Sequence, residues 1–307
     1  MLQAMIDIGS NTIRMAVYEI KDGHATQVMK QKHAVGLAAY VKDGRMRAKG
    51  IEKAAEAVCE YRDFLAGLGI TAVEAFTTAA LRNAENSIEA VALLEELTGL
   101  PIRVISGEDE AAFDFAGAIH DLEWDRGVIL DIGGASAQAV LYRERRVEKK
   151  ASLPLGSLSL RTQYVRGLLP TTAEASAIRE EAADAAGILL EVFGAPEMAV
   201  TACGIGGTFK SALALYRLLY DRPEDDVRME TSRFDAMLGR YISDAPPAEH
   251  DTVLLMRAAP DRIHTLLPGL ILADELLHAL GCDAVEYSDS GVREGYLYSE
   301  ILGHKLP

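Results

Sequence analysis

Asp7-Ile8-Gly9-Ser10-Asn11-Thr12, preceded by an apolar run from Leu2 and followed by another from Ile13 to Ile20, recurs in outline later in the chain. The second copy is Asp131-Ile132-Gly133-Gly134-Ala135-Ser136, offset by 131 − 7 = 124 residues, with Tyr18 and Tyr142 in register. Each copy reads as apolar strand, acidic residue, glycine turn, second strand and charged hairpin tip. This self-similarity predicts an internal duplication, giving two similar α/β domains that face each other.

The surroundings of each copy extend that reading. Lys21-Asp22-Gly23 is a hairpin signal, and Ala25 to His33 reads as a third strand. Apolar spacing turns helical from Ile51 to Leu68, with Gly67 and Gly69 as the stop. Strand Val73 to Thr77, helix Ser87 to Leu97 and strand Ile102 to Ile105 then alternate, the α/β pattern. Ser106-Gly107-Glu108-Asp109 has capping-box spacing and predicts a helix to about His120. In the second half, helices are expected near Ser157 to Val165, Ala173 to Phe193, Phe209 to Tyr220, Arg233 to Ile242 and Pro268 to Leu280. Strands are expected near Met198 to Ala202 and Ala284 to Tyr287. The expected domains are 1–120 and 121–295, with a C-terminal helix of about 296–307 returning to the first.

A carboxylate at a strand end beside a small-residue turn sets an acceptor for hydrated Mg²⁺ next to backbone N–H groups that suit phosphate oxygens. An ordinary β-turn has the same local sequence, and it is the repeat that favours the ligand-binding reading. A third turn, Gly204-Ile205-Gly206-Gly207-Thr208, follows a strand and opens a helix, the arrangement for anion binding at a helix N-terminus.

Composition limits the partners. The 307 residues carry 46 acidic against 31 basic side chains, a net charge of −15, which argues against a nucleic-acid polymer or an anionic membrane as partner. Cys59, Cys203 and Cys282 are widely spaced, and the N-terminus lacks a signal-peptide pattern, so a reducing cytoplasm is expected. The apolar stretch from Thr265 to Leu277 is too short to span a bilayer and carries Asp274 and Glu275. The densest basic run, Arg143, Arg145, Arg146, Lys149 and Lys150, is interleaved with Glu144 and Glu148. It reads as a solvated hairpin tip or a contact for a long polyanion.

Seven ordered segments carry a family resemblance: 7–12, Thr78-Ala79-Ala80-Leu81-Arg82-Asn83-Ala84, Ile105-Ser106-Gly107-Glu108-Asp109-Glu110-Ala111, 130–136, Leu153-Pro154-Leu155-Gly156-Ser157, 204–208 and Ser288-Asp289-Ser290-Gly291-Val292-Arg293-Glu294-Gly295. Together they resemble the exopolyphosphatase and guanosine pentaphosphate phosphatase family. The resemblance implies two duplicated ribonuclease-H-like domains of the actin and sugar-kinase type, with an interdomain cleft. It implies Glu110 as general base, Asp131 and more weakly Asp7 as Mg²⁺ carboxylates, and Arg82 as a phosphate-binding arginine. Ser10, Asn11, Thr12, Gly133, Gly134, Ala135, Ser136, Gly206, Gly207 and Thr208 would contact phosphate. Arg293 and Glu294 match the last segment and read as an interdomain structural pair.

Two positions depart from the family pattern. Gln138 stands where glutamate is usual, as in the apyrases, and Lys210 stands where a small or apolar residue is usual. Both are accessory candidates: Gln138 for metal affinity or substrate preference, Lys210 for a further phosphate. Longer family members carry an extra helical C-terminal domain, and Glu249-His250-Asp251 reads as a loop rather than a metal site.

The expected function is Mg²⁺-dependent removal of terminal phosphate from inorganic polyphosphate, with short chains favoured. The alternatives are hydrolysis of guanosine pentaphosphate or a nucleoside triphosphate, and a non-catalytic nucleotide or alarmone sensor. A sugar kinase lacks its catalytic aspartate motif here. The expected partner is inorganic polyphosphate or another phosphoanhydride, with a homodimer left open.

Overall fold

The computed structural model describes residues 1–194 and 201–304. It divides into two compact units, Met1–Glu110 and Ala111–Pro307. The division falls ahead of the 120/121 boundary expected from the sequence and groups the C-terminal segment with the second unit.

In the first unit, β1 (Leu2–Ile8), β2 (Thr12–Lys21) and β3 (His24–Ala34) form an antiparallel meander. Asp22 and Gly23 both have positive φ at the β2–β3 turn, the geometry that matches the twist of paired strands. A small hairpin of β4 (Val41–Lys42) and β5 (Arg45–Met46) precedes α1 (Ala48–Gly67). Next come β6 (Val73–Thr77), the one-turn α2 (Ala79–Arg82), α3 (Ser87–Thr98), β7 (Ile102–Val104) and α4 (Gly107–Ala118). The sheet order is β3-β2-β1-β6-β7, with β6 parallel to β1 and β7 parallel to β6. Helix α1 buries Ile51, Ala54, Val58, Tyr61 and Leu65, a helical stripe packed with Ala4, Ile6 and Ile8 of β1. Asp7 therefore projects from the opposite face of β1.

The second unit repeats the plan with β8 (Arg126–Ile132), β9 (Ala137–Arg143), β10 (Arg146–Leu153), α5 (Ser157–Tyr164) and α6 (Thr172–Phe193). Then come β11 (Thr201–Ile205), α7 (Gly206–Tyr220), β12 (Arg228–Glu230), α8 (Phe234–Gly239), α9 (Glu249–Ala258), α10 (Ile263–Ala279), β13 (Ala284–Tyr287) and α11 (Val292–Tyr296). Its sheet order is β10-β9-β8-β11-β13-β12. The antiparallel β8-β9-β10 meander and the parallel β11 beside β8 reproduce the first sheet's plan, and β12 adds an antiparallel edge. One face packs Val128, Leu130, Ala137 and Ala139 against α6, α7 and α10. The other packs Ile129, Val140, Cys203 and Ile205 against Ala111, Phe115 and Ala118 of α4. The result is two sheet-and-helix domains of the duplicated ribonuclease-H-like type.

Several segments differ from the sequence reading. Helix α10 begins at Ile263 and carries Pro268 in its interior, where the ring cannot donate to the His264 carbonyl. Leu266, Leu267, Leu270 and Ile271 are fully buried around it. At about 1.5–3 kcal/mol each, that burial outweighs one lost hydrogen bond. Glu249-His250-Asp251 is the first turn of α9 rather than a loop, and Asp251 bonds Arg240 at 2.6 Å. The strand expected from Met198 runs from Thr201 among the described residues, residues 195–200 lying outside them.

The basic run is partly consumed by its own unit. Arg145 donates to the Leu122 and Ile119 carbonyls, Arg143 pairs with Glu148, and Lys149 donates to Phe193 O. Glu294 accepts from Gly291 N at 3.0 Å and so caps α11, with Arg293 3.9 Å from it. Among the described residues no helix is long and apolar enough to cross a membrane.

Candidate active site

In the first unit, Asp7, the buried penultimate residue of β1, lies opposite Arg14 on β2, with Arg14 Nη1 3.6 Å from its Oδ2. Ser10 and Asn11 form the connecting turn and Thr12 opens β2; all three are buried. The turn's carbonyls are fastened, Ser10 O by Ala38 N and Asn11 O by Gly36 N, both at 2.9 Å. Thr77 Oγ1 donates to Ile8 O at 3.0 Å and ties the end of β6 to the same turn.

Arg82 ends the single turn α2. Its Nη1 donates to Glu110 Oε2 at 2.6 Å and to Ile105 O at 3.0 Å, and its Nε to Asn83 Oδ1 at 3.3 Å. The Glu110 side chain is only 8% exposed, so Arg82 fixes the orientation of a carboxylate removed from bulk water. Glu108 and Asp109 share the first turn of α4 with Glu110 and supply charge for its N-terminus, while Ser106 Oγ accepts from Asp109 N at 3.0 Å. Glu110 is thus not needed as a helix cap. Its buried partner is the cation of the preceding family-like segment.

In the second unit, Gly133 N donates to Ser136 O at 2.9 Å and closes the turn after β8. The N-terminus of α5 grips that turn. Ser157 N bonds Gly133 O at 2.9 Å, and Leu158 N and Ser159 N bond Gly134 O at 2.8 and 2.9 Å. A planar trans peptide sets N–H and C=O in opposite directions. The amides of Gly134 and Ala135 therefore point away from α5, as paired donors for an anion.

Asp131, partly exposed at the end of β8, lies against the third turn. Gly206 opens α7 at φ +81°, and a Cβ there would sit 2.3 Å from Asp131 Oδ1. Only glycine allows that approach and that backbone conformation. Thr208 Oγ1 donates to Ile132 O at 2.8 Å and fastens the helix start to β8. Gly269 accepts the same crowding, since a Cβ would lie 2.8 Å from Thr208 Cγ2 and 2.9 Å from Ser157 Cβ. The bare backbone beside Pro268 thereby lets α5, α7 and α10 converge at the turns.

The sequence reading missed Arg262. Its guanidinium lies on Gly207, where a Cβ would meet Cζ at 2.3 Å. Neighbouring His264 has its pKa held below the usual imidazole value, first by burial and then by Arg161 and Arg262. A cation over the N-terminus of α7 repels the positive helix end and suits a shared anionic ligand. The bare glycine at 207 is the only trace of this contact in the sequence.

The accessory candidates have definite partners. Lys210 bonds Asp289 at 2.8 Å, which also accepts from Tyr287 at 2.6 Å. Gln138 is buried in β9 and donates from Nε2 to Ser136 Oγ and Ser152 Oγ, both at 3.0 Å.

Among the described residues no three His, Cys, Asp or Glu side chains cluster as a metal cage. That donor set does not suit a structural Zn²⁺, which takes four protein ligands. One partly exposed carboxylate beside outward amides does suit Mg²⁺, which keeps several waters and takes one or two carboxylates with substrate oxygens.

The chain is similar to known proteins along nearly its whole length. The model of the Ppx/GppA phosphatase family matches residues 16–304. Exopolyphosphatase 1 of Mycobacterium tuberculosis is 28% identical over 309 residues, covering 97% of this chain and 87% of that protein. A crystal structure of the Aquifex aeolicus Ppx/GppA family member superposes with a TM-score of 0.76 at 25% identity, covering 99% of each chain. An exopolyphosphatase from Cytophaga hutchinsonii shares the fold with a TM-score of 0.85 at 19% identity, covering 100% of this chain and 99% of that one. The glycine turns, the buried Arg82–Glu110 pair and the family match lead to one conclusion: this chain belongs to the Ppx/GppA phosphatase family and is a phosphoanhydride hydrolase.

Proposed function

We propose that this chain is an exopolyphosphatase, removing the terminal phosphate of short inorganic polyphosphates with Mg²⁺. The observation that carries this reading is the turn at Gly133–Ser136, whose carbonyls are held by α5 so that its amides face outward next to Asp131. Exopolyphosphatase is also the name of relatives that match along 97% of the chain.

In this reading Asp131, with a weaker contribution from Asp7, would hold Mg²⁺, and a bound ion would neutralise charge on the phosphate oxygens. The amides of Gly134 and Ala135, the N-terminus of α7 and Arg262 bind equatorial oxygens of the phosphate being transferred. Arg82 offers its Nη2 edge, which makes none of the three bonds to Glu110, Ile105 and Asn83, to another phosphate oxygen. Glu110, oriented by Arg82, takes a proton from the attacking water. The new bond is water oxygen to terminal phosphorus, and the bridging oxygen leaves with the shortened chain. Asp7 is buried with a cation, Arg14, already beside it, so Asp131 is the principal metal carboxylate. A net charge of −15 repels long polyanions outside the site, which favours short chains and steep Mg²⁺ dependence.

Gln138 keeps a second substrate class open, guanosine pentaphosphate or a nucleoside triphosphate, since it adds no charge for metal binding. Phosphate release measured in parallel from tripolyphosphate, long-chain polyphosphate, guanosine pentaphosphate and ATP over an Mg²⁺ titration tests the choice. The expected order is tripolyphosphate first. Turnover of either nucleotide equal to or above that of tripolyphosphate overturns the polyphosphate reading.

A further inference from the structure

We propose that Asn86 is a positioning residue for phosphate binding. Its side-chain amide anchors a backbone strap, residues 36–46, whose other end holds the carbonyls of the Gly9–Thr12 turn and so keeps the Asn11 amide directed at a substrate phosphate. The inference rests on the reading that this turn contacts phosphate.

Hydrogen bonds within the first unit define both ends of the strap. At the turn, Gly36 N donates to Asn11 O and Ala38 N to Ser10 O, both at 2.9 Å. The Ser10 carbonyl and the Asn11 N–H belong to one trans peptide and point in opposite directions, so the Asn11 amide faces away from the strap. Between the ends lie a 3₁₀ turn, Leu37–Tyr40, and the paired strands β4 and β5. At the far end, Asn86 Oδ1 accepts from Met46 N at 2.8 Å and Asn86 Nδ2 donates to Met46 O at 3.0 Å. Glu85 N adds a bond to Gly44 O at 2.8 Å.

An asparagine at this position suggests a helix cap, and the geometry gives it another role. Asn86 stands at the N-cap of α3, a place asparagine favours, yet its side chain accepts no N–H from that helix. It grips the Met46 backbone from both sides, as the opposite residue of an antiparallel pair would.

Leu37 beside the turn and Met46 beside Asn86 are buried in the same core. Gly50 of α1 leaves room for the strap, since a Cβ there would lie 2.6 Å from Tyr40 Cβ and 2.8 Å from Met46 Sδ. Releasing the Met46 backbone loosens this short unit as a whole, including its bonds to Ser10 and Asn11. Arg82 precedes Asn86 in the same segment, but its bonds run to Ile105 O, Glu110 and Asn83 rather than through Met46. Loss of the clamp therefore weakens phosphate binding and leaves the Arg82–Glu110 pair in place.

The experiment measures tripolyphosphate Kd by calorimetry at fixed Mg²⁺, KM and kcat by phosphate release, and backbone hydrogen exchange by mass spectrometry. The proteins are wild type, Asn86→Ala, Gly50→Ala, the double variant and Gly9→Ala. Asn86→Ala should raise Kd and KM together by about threefold to tenfold, the effect of about one net hydrogen bond, with kcat within about twofold of wild type. Exchange should quicken across residues 36–46 and at the 9–12 turn, with β8 and β9 unchanged. Gly50→Ala displaces the strap without touching Asn86 and should do the same, and the double variant should be no weaker than the weaker single. Gly9→Ala, whose Cβ would lie 2.9 Å from Thr12 O, distorts the turn directly and should also raise Kd.

A raised Kd in Gly9→Ala with wild-type Kd in Asn86→Ala overturns the proposal and keeps the turn. Wild-type Kd in both overturns the reading of the turn, and the proposal with it. Additive losses in the double variant, a raised Kd without faster exchange in the strap, or a fall in kcat alone also overturn the proposal. Wild-type protein that binds tripolyphosphate without releasing phosphate overturns the hydrolase reading, and the strap is then judged on the Kd series. Wild-type protein that does not bind it overturns both.

Discussion

Glu110→Gln should lower phosphate release from tripolyphosphate by about 10²- to 10⁴-fold while leaving its binding close to wild type. The expectation comes from the local geometry. Glu110 is buried, bonded to Arg82 at 2.6 Å, and unnecessary as a helix cap because Glu108 and Asp109 share its turn. Glutamine keeps the side-chain shape and an oxygen for Arg82 but cannot take a proton from water. Steady-state phosphate release and calorimetric binding separate the two functions. Unchanged release would remove Glu110 as the base. Loss of binding in equal proportion would make it a binding group instead, and a non-catalytic sensor predicts no release from either protein.

Asp131→Asn should raise the Mg²⁺ concentration for half-maximal activity by about 10- to 100-fold, because a carboxylate acting through metal-bound water resembles an outer-shell partner. The carboxylate lies against Gly206 at the start of α7, where asparagine has the same shape and lacks the charge. Saturating Mg²⁺ should therefore recover much of the lost rate. An unchanged Mg²⁺ midpoint with a depressed maximum would assign Asp131 to orientation of the turn rather than to the metal. The same titration on Asp7→Asn should show a smaller shift, because Arg14 already stands beside that carboxylate.

Much of this architecture is legible in the sequence because the duplication carries its signal twice. The Asp7 and Asp131 copies predict strand, turn, strand and hairpin, and both sheets build that order around them. The tie between Arg82 and Glu110 is reachable only through the family-like segments, since 28 residues separate the two in the chain. Contacts made by packing leave weaker traces. Arg262 reads as a charge before an apolar helix, and only the bare Gly207 beneath it hints at its position. Pro268 reads as a helix start by its preference for the first turn, yet α10 begins at Ile263 because its apolar surroundings decide the matter. Gln138 stands out in the sequence as an unusual residue. Its hydrogen bond to Ser152 follows from strand register, which brings the two residues opposite each other.

The most direct test of terminal phosphoanhydride hydrolysis is the fate of solvent oxygen. Tripolyphosphate cleaved by the wild-type protein with Mg²⁺ in H₂¹⁸O should place one ¹⁸O in each orthophosphate released and none in the pyrophosphate that departs. Label in the pyrophosphate, or orthophosphate released without label, would contradict attack by water on the terminal phosphorus.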